Sequence, residues 1–213
     1  MLATRSTRRR LSAEERRSRL LVAASAEFGK HGYSDASLRS IAASAGITTP
    51  VVYDHFGSKA ELYATVAQQH ADSLLARWAE PPPGSTEDLV RATVDSVFGW
   101  IEEHPDGWRV LFADVPADPV VAATLRPLQD RATAGVAGLL ATLPTLDHPA
   151  DVTRERSDAA YAEAAKSAVD GLASWWWHNR DVPRATVVTL AADLLWRGLR
   201  ELSRTDARGG VSA

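Results

Sequence analysis

The chain of 213 residues contains no cysteine and a single methionine. The missing thiols exclude disulfide staples, thiol catalysis and cysteine-based zinc sites, and they suit a reducing cytoplasm, which is the expected location. No apolar run approaches the ~20 residues that cross a bilayer, so no membrane partner is expected. The N-terminal arginines are followed by Glu14, Glu15, Arg16 and Arg17 rather than an apolar segment, which argues against a secretory leader. Period-2 alternation is absent, so no sheet is expected. Catalytic signatures are absent too. Six histidines occur without a His-Glu-x-x-His spacing, and neither a Gly-x-x-x-x-Gly-Lys loop nor a Gly-x-Ser-x-Gly elbow is present. Glu102-Glu103-His104 reads as a solvated helix end. The sequence therefore implies no metal, no cofactor and no enzyme.

What the chain does have is core material and a skewed charge. Hydrophobic residues make up 45 % and charged residues 24 %, enough for a packed interior. Residues 1–60 hold ten Lys and Arg against five Asp and Glu, a net of +5. The remainder holds fourteen against twenty-two, a net of −8, which leaves −3 for the chain. A basic head on an acidic body directs only the head toward a polyanion.

Residues 1–11 form a polar arm with Arg5, Arg8, Arg9 and Arg10 and no helical period, and are expected to be disordered. Ser12 with Glu15 three residues on is a capping box that opens the first helix. Leu20, Leu21, Ala24 and Phe28 give it a buried stripe, and Gly32 closes it. Leu38, Ile41, Ala42 and Ala45 form the apolar face of a short second helix that Gly46 stops. Thr48 or Thr49 caps a third, with Pro50 tolerated in its first turn. Ser58 and Glu61 open a fourth that runs to about Trp78. After Pro81-Pro82-Pro83-Gly84-Ser85, five helices are expected at about 86–104, 105–114, 117–143, 154–179 and 183–204, separated by proline breakers. Pro127 is expected to kink the third of these or shift its boundary.

The combination Ala26-Glu27-Phe28, Gly32-Tyr33, Ser37-Leu38-Arg39-Ser40-Ile41-Ala42, Ala45-Gly46-Ile47, Val52-Tyr53-Asp54-His55-Phe56 and Ser58-Lys59-Ala60-Glu61-Leu62 resembles the DNA-binding domain of TetR-family transcriptional regulators. The resemblance covers about residues 12–63. It implies an all-α fold of about nine helices: a helix-turn-helix domain over 12–60, a helical effector-binding and dimerisation domain over 61–205, and a flexible tail over 206–213. The implied function is a DNA-binding regulator, a ligand-responsive repressor that binds a palindromic operator as a homodimer and is released by a small, largely apolar effector. A DNA-binding or adaptor protein with no small-molecule effector is the alternative.

The third helix would enter the major groove, with Thr48, Thr49 and Pro50 against base edges or a thymine methyl. Tyr53 and His55 resemble the family's phosphate contacts. Lys59, at the start of the fourth helix, combines its charge with free backbone amides. Ser37 and Arg39 are placed to approach the backbone. Asp54 departs from the family pattern: a carboxylate near phosphates must point away, pair with an arginine or accept from a cytosine amine.

In the body, Ala165, Val169, Leu172, Ala173 and Trp176 form one helical stripe, and Val187, Leu190, Ala191, Leu194, Leu195 and Leu199 another. By resemblance these last two helices supply the dimer interface, with Val169, Leu172, Leu190 and Leu194 as its core. Seven tryptophans are present, three of them consecutive at 175–177. Successive helical positions turn by about 100°, so the three cannot share one face. Trp100, His104, Trp108, Phe112 and Trp176 are the candidates for an aromatic ligand pocket.

Overall fold

The computed structural model describes residues 12–77, 84–113, 118–141 and 151–202. The arginine arm, Trp78, the Pro81–Pro83 run, the Val115-Pro116 and Leu143-Pro144 breakers, the side chain of Leu199 and the tail lie outside the described residues. The described secondary structure is entirely helical: α1 (Ala13–Asp35), α2 (Leu38–Ala45), α3 (Thr49–His55), α4 (Lys59–Ala76), α5 (Thr86–Glu103), α6 (Pro105–Trp108), α7 (Pro119–Leu140), α8 (Arg154–Trp177) and α9 (Arg184–Leu202). This is the expected all-α architecture with nine helices.

Helix starts follow the caps. The Ser12 hydroxyl accepts from the Glu15 N–H at 3.0 Å while the Glu15 carboxylate accepts from the Ser12 N–H at 2.7 Å. Ser85 and Asp88 repeat this arrangement at α5. The Ser58 side chain accepts from the Glu61 N–H, and Thr153 caps α8. Each such cap satisfies an amide that the helix leaves unpaired.

Three details depart from the sequence expectation. α1 does not end at Gly32. That residue turns left-handed (φ 70°) and the chain resumes helical geometry to Asp35, so the glycine makes a kink instead of a stop. The segment expected as one helix over 105–114 is α6 followed by a π-helical turn, Arg109–Ala113. α7 runs through Pro127 without a shifted boundary. Pro127 and Ala123 are both exposed, so the carbonyl that loses its partner faces solvent.

The core is continuous from the N-terminal helices into the body. Leu20, Phe28, Ile41, Val52, Phe56 and Leu62 are buried at one end, and Phe98, Trp100, Trp176 and Val187 at the other. α6 and the π-turn lie between α1 and α4. Two glycines permit that approach: a Cβ on Gly29 would lie 2.7 Å from the Asp106 Cβ, and one on Gly107 would lie 2.5 Å from His70 Nδ1. The π-turn withdraws carbonyls from the ordinary helical ladder. The Tyr63 hydroxyl donates to one of them, Val110 O, at 2.6 Å.

Gly29→Ala should therefore overpack the α1–α6 contact against backbone. It should cost about 1–3 kcal/mol of stability, read as a lower midpoint in thermal or urea denaturation. An unchanged midpoint would show that α6 is not held this closely.

Candidate nucleic-acid interface

α2 and α3 are joined by a three-residue turn in which Gly46 is left-handed (φ 69°, ψ 33°). Ile41, Ala42, Ala45, Val52 and Phe56 are buried and fix the two helices against α1. Arg17 of α1 covers the Phe56 ring at 4.4 Å. The opposite face of α3 is open. Thr48, Pro50 and Asp54 are exposed, Thr49 and His55 are half-buried, and Tyr53 is 53 % exposed, so Tyr53 is not a core aromatic. Thr48 occupies the N-cap position but its side chain makes no capping bond, which leaves the hydroxyl free to bind something else.

Ser37 caps α2, its hydroxyl accepting from the Ser40 N–H at 3.4 Å, and Arg39, the second residue of α2, is exposed at the same end. Glu27 anchors this corner. Its carboxylate accepts from the Ser37 N–H at 3.1 Å and from the Ser40 hydroxyl at 2.8 Å. Burial pushes the Glu27 carboxyl up, but those two bonds, with His31 and Lys30 nearby, hold it below its ordinary value. Lys59 points back at α1. Its ammonium donates to Ser34 O at 3.0 Å and lies 5.0 Å from the Tyr33 ring centre. Ser34 is in the last turn of α1, where unpaired carbonyls attract a cation.

Three further contacts tie this head to the body. The Ser25 hydroxyl and His70 Nε2 are 2.7 Å apart, the Tyr33 hydroxyl donates to Asp118 at 3.0 Å, and Phe28, Tyr33 and Tyr63 form an aromatic cluster. Burial, with His104 nearby, pushes His70 down to about 4, so it is neutral at physiological pH.

Two short helices set at a glycine turn, the second with an open face, have the geometry of a helix-turn-helix. The sequence profile described as "Bacterial regulatory proteins, tetR family" matches residues 20–66. The HTH-type transcriptional activator FasR of Mycolicibacterium smegmatis is 33 % identical over 199 residues, 92 % of this chain and 88 % of that protein. The chain belongs to the TetR family of transcriptional regulators. The HTH-type transcriptional repressor SCO4008 of Streptomyces coelicolor is 30 % identical over 99 residues, 46 % of this chain and 49 % of that one. A TetR-like regulator from Rhodococcus sp. RHA1 superposes with a TM-score of 0.72 at 24 % identity, over 90 % of this chain and 99 % of that one. The protein is accordingly a DNA-binding transcription regulator with a helix-turn-helix. The proteins it matches are regulators, not enzymes. Among the described residues no helix is long and apolar enough to cross a membrane.

The TetR-type body holds two adjoining cavities. One, about 110 Å³, lies among α4, α5, α7, α8 and α9 and is walled by Leu89, Val94, Val136 and Leu139. The other, about 160 Å³, is walled by Ala71, Trp108, Leu125 and Gln129. Leu74, Phe112, Ala132, Lys166 and Asp170 are common to both. Of the five residues expected at a pocket, Trp108 and Phe112 are there. Trp100, His104 and Trp176 pack elsewhere. Trp100 is buried, stacked on His104 and bonded through Nε1 to Ser73 Oγ; Trp176 is buried against Phe98 and bonded through Nε1 to Val182 O.

The four expected interface residues also divide. Leu190 and Leu194 are 52 % and 63 % exposed, and Trp175 is 45 % exposed. Leu172 is half-buried on the core, and Val169 lines the first cavity. Residues 187 and 191 face inward one turn apart, and 190 and 194 follow on the adjacent outward face.

Sequence reasoning missed Glu27, although it stands inside a quoted motif, and it missed Lys166 and Asp170. The signal for the second pair was present: two opposite charges at i,i+4 within an otherwise small and apolar stripe.

His70 generates a pH prediction. The free imidazole titrates near 6.5, whereas the folded one stays neutral to about 4. As pH falls through that window the unfolded chain binds the proton first, so stability is lost. His70→Asn should lose less stability than the parent between about pH 7 and pH 4.5, measured by urea denaturation of both proteins. An equally steep loss in the variant would remove His70 as the cause.

Proposed function

We propose that the protein binds a palindromic double-stranded operator as a homodimer, and that a small, largely apolar effector held in the body lowers this affinity. The unliganded protein is then a repressor. The observation that carries this reading is that one element serves both ends: α6 and its π-turn wall the second cavity through Trp108, Leu111 and Phe112, and the same element packs on α1 and α4 beside the DNA-reading helices. An effector that prefers one position of this element changes the angle of the head. The coupling needed is about 1–3 kcal/mol.

On DNA, Thr48, Thr49 and Pro50 meet base edges, Tyr53 and His55 meet phosphates, and Ser37 and Arg39 approach the other strand. Lys59 exchanges its bond to Ser34 O for a phosphate. Asp54 lies on the exposed face of α3, where accepting from a cytosine amine is open to it. The functional division is a reading head over 12–60 and an effector-binding and dimerisation body over 61–205. Two heads about 34–36 Å apart read successive major grooves. Leu190 and Leu194, exposed one turn apart on α9, and Trp175, exposed on α8, support a dimer across these two helices, because large exposed apolar side chains call for a partner. The site of action is the bacterial cytoplasm. FasR is named an activator and SCO4008 a repressor, so transcription in a purified system with and without the protein decides the sign of regulation.

Selection of genomic fragments by the purified protein supplies the operator. On it, Tyr53→Phe should weaken binding about equally on matched and scrambled sites, and Lys59→Ala should also flatten the salt dependence by about one unit per contacting lysine. Thr49→Ala should instead shift the sequence preference at one or two base pairs. Unchanged binding in all three variants would refute the assigned face.

Leu190→Asp with Leu194→Asp should give a monomer in light scattering and abolish operator binding at concentrations where the parent is saturated. A variant that remains dimeric would place the interface elsewhere. A compound screen by thermal shift should find ligands that both stabilise the protein and release the operator. Stabilising ligands that leave operator binding unchanged would favour a regulator without an effector.

A further inference from the structure

The charges in the walls of the two body cavities come from one row on α8. Lys166, Asp170 and Ser174 line the lobe of about 160 Å³ at i, i+4 and i+8, so this row is the side of α8 turned to that space. Lys166 and Asp170 also line the neighbouring lobe of about 110 Å³, whose other walls are mostly aliphatic. Among the described residues, α4, α5, α6 with its π-turn, α7 and α9 add no ionisable side chain to either wall.

The pairing in this row is unequal. The Lys166 ammonium lies 3.1 Å from the Glu163 carboxylate and 3.8 Å from Asp170 Oδ2, so Glu163 is its nearer partner. Glu163 is held further by the Thr133 hydroxyl, which donates to it at 2.8 Å, and by the Ser167 hydroxyl at 3.5 Å. Asp170 accepts no hydrogen bond among the described residues. Lys166 and Glu163 cancel, and Asp170 leaves the group one negative charge in excess. The Asp170 side chain keeps 32 % of its surface accessible. Burial nonetheless pushes its carboxyl up to about 6, with Lys166 offsetting part of the rise and Glu163 adding to it. A carboxylate that has open surface and is still desolvated faces an enclosed space and not bulk water.

We infer that the effector is a cationic amphiphile whose positive group pairs with the Asp170 carboxylate where the two lobes meet, with its apolar tail in the lobe walled by Leu89, Val94, Val136 and Leu139. This rests on the reading that the body cavity takes the effector. It adds the sign of the effector's charge and the place where that charge sits. A cation neutralises the excess carboxylate and supplies the contact it lacks. An anion would have to compete with two carboxylates for an ammonium already shared between them. An uncharged occupant would displace water and leave Asp170 with only a distant partner, which is costly for a buried charge. Phe112 of the π-turn lines both lobes, so the occupant also borders the element that seats the reading head.

The test uses the full chain with three probes of similar length and fixed charge: decyltrimethylammonium, decyl sulfate and 1-undecanol, each below its micellar concentration. The cation should bind about tenfold more tightly than either of the others at pH 7. Calorimetry at pH 6 in two buffers should show about half a proton released per cation bound, because pairing holds ionised a carboxyl that is otherwise half protonated there. Asp170→Asn should lower cation affinity about tenfold, abolish the proton release and leave 1-undecanol binding unaffected. The proton count is read on the parent, so it stands even if the variant folds poorly. The cation should release the operator from the parent and not from Asp170→Asn, which separates release from capture of the DNA by the cation itself. Decyl sulfate binding more tightly with proton uptake, 1-undecanol binding as tightly as the cation, equal cation binding by parent and Asp170→Asn, or a bound cation that leaves the operator in place would each overturn the inference. Failure of the broader reading is separable. Ala132→Trp fills the junction of the lobes and should abolish operator release by any screened effector; release that survives it would mean the cavity is not the effector site at all.

Discussion

The close seating of α6 on the helices of the reading head governs the rest of the molecule. Gly29 and Gly107 have no Cβ, and the space a Cβ would need is taken by Asp106 and by the His70 ring. That approach lets Tyr63 reach Val110 O and lets Tyr33 reach Asp118, so the π-turn is bonded on one side and bracketed on the other. The head is therefore joined to the body through a short contact in which backbone and side chains approach closely at Gly29 and Gly107. Packed interfaces of this kind change between discrete arrangements instead of deforming gradually. An element that also walls a cavity can carry such a change.

Charge is distributed to match this mechanical layout. The positive excess sits in the first sixty residues, and the acidic excess sits in the body, so attraction to a polyanion is confined to one end. Within the head, cations also hold the fold. Arg17 covers Phe56, and Lys59 neutralises the end of α1. These residues are available to phosphate only by exchanging one favourable contact for another.

The tryptophans show how one residue type is used in several ways on neighbouring turns. Trp175 is exposed on the outer face, Trp176 is buried with its N–H bonded, and Trp177 is half-buried, stacked on Trp108 and flanked by Arg109 and Arg180. The helical rotation of about 100° per residue imposes this division. Their shared bulk fixes the junction of α6, α8 and the loop before α9. The same packing buries the Trp108 N–H with no acceptor among the described residues.

The helices, their caps and the turn at Gly46 were legible in the amino-acid order, because each is decided within a few residues: a hydroxyl three positions from its amide, a glycine where φ must be positive, an apolar repeat of 3.6. The exposed face of α3 was legible for the same reason, since burying Val52 and Phe56 leaves Tyr53 and Pro50 outward. The kink at Gly32 and the π-turn were not, because they sit among contacts made by distant segments: Tyr33, next to the kink, bonds Asp118, and Val110 in the π-turn accepts from Tyr63. Nor could local order say which aromatic residues line a cavity. Trp100, Trp108 and Trp176 look alike in sequence. Only the positions of Ser73, Val182 and Trp177, contributed by other turns and helices, decide which indole is satisfied in the core and which is left with its donor unspent. Local periodicity determines which side of a helix is apolar; the tertiary arrangement decides what that side meets, because contacts between distant segments are set by how whole helices pack and not by any one of them.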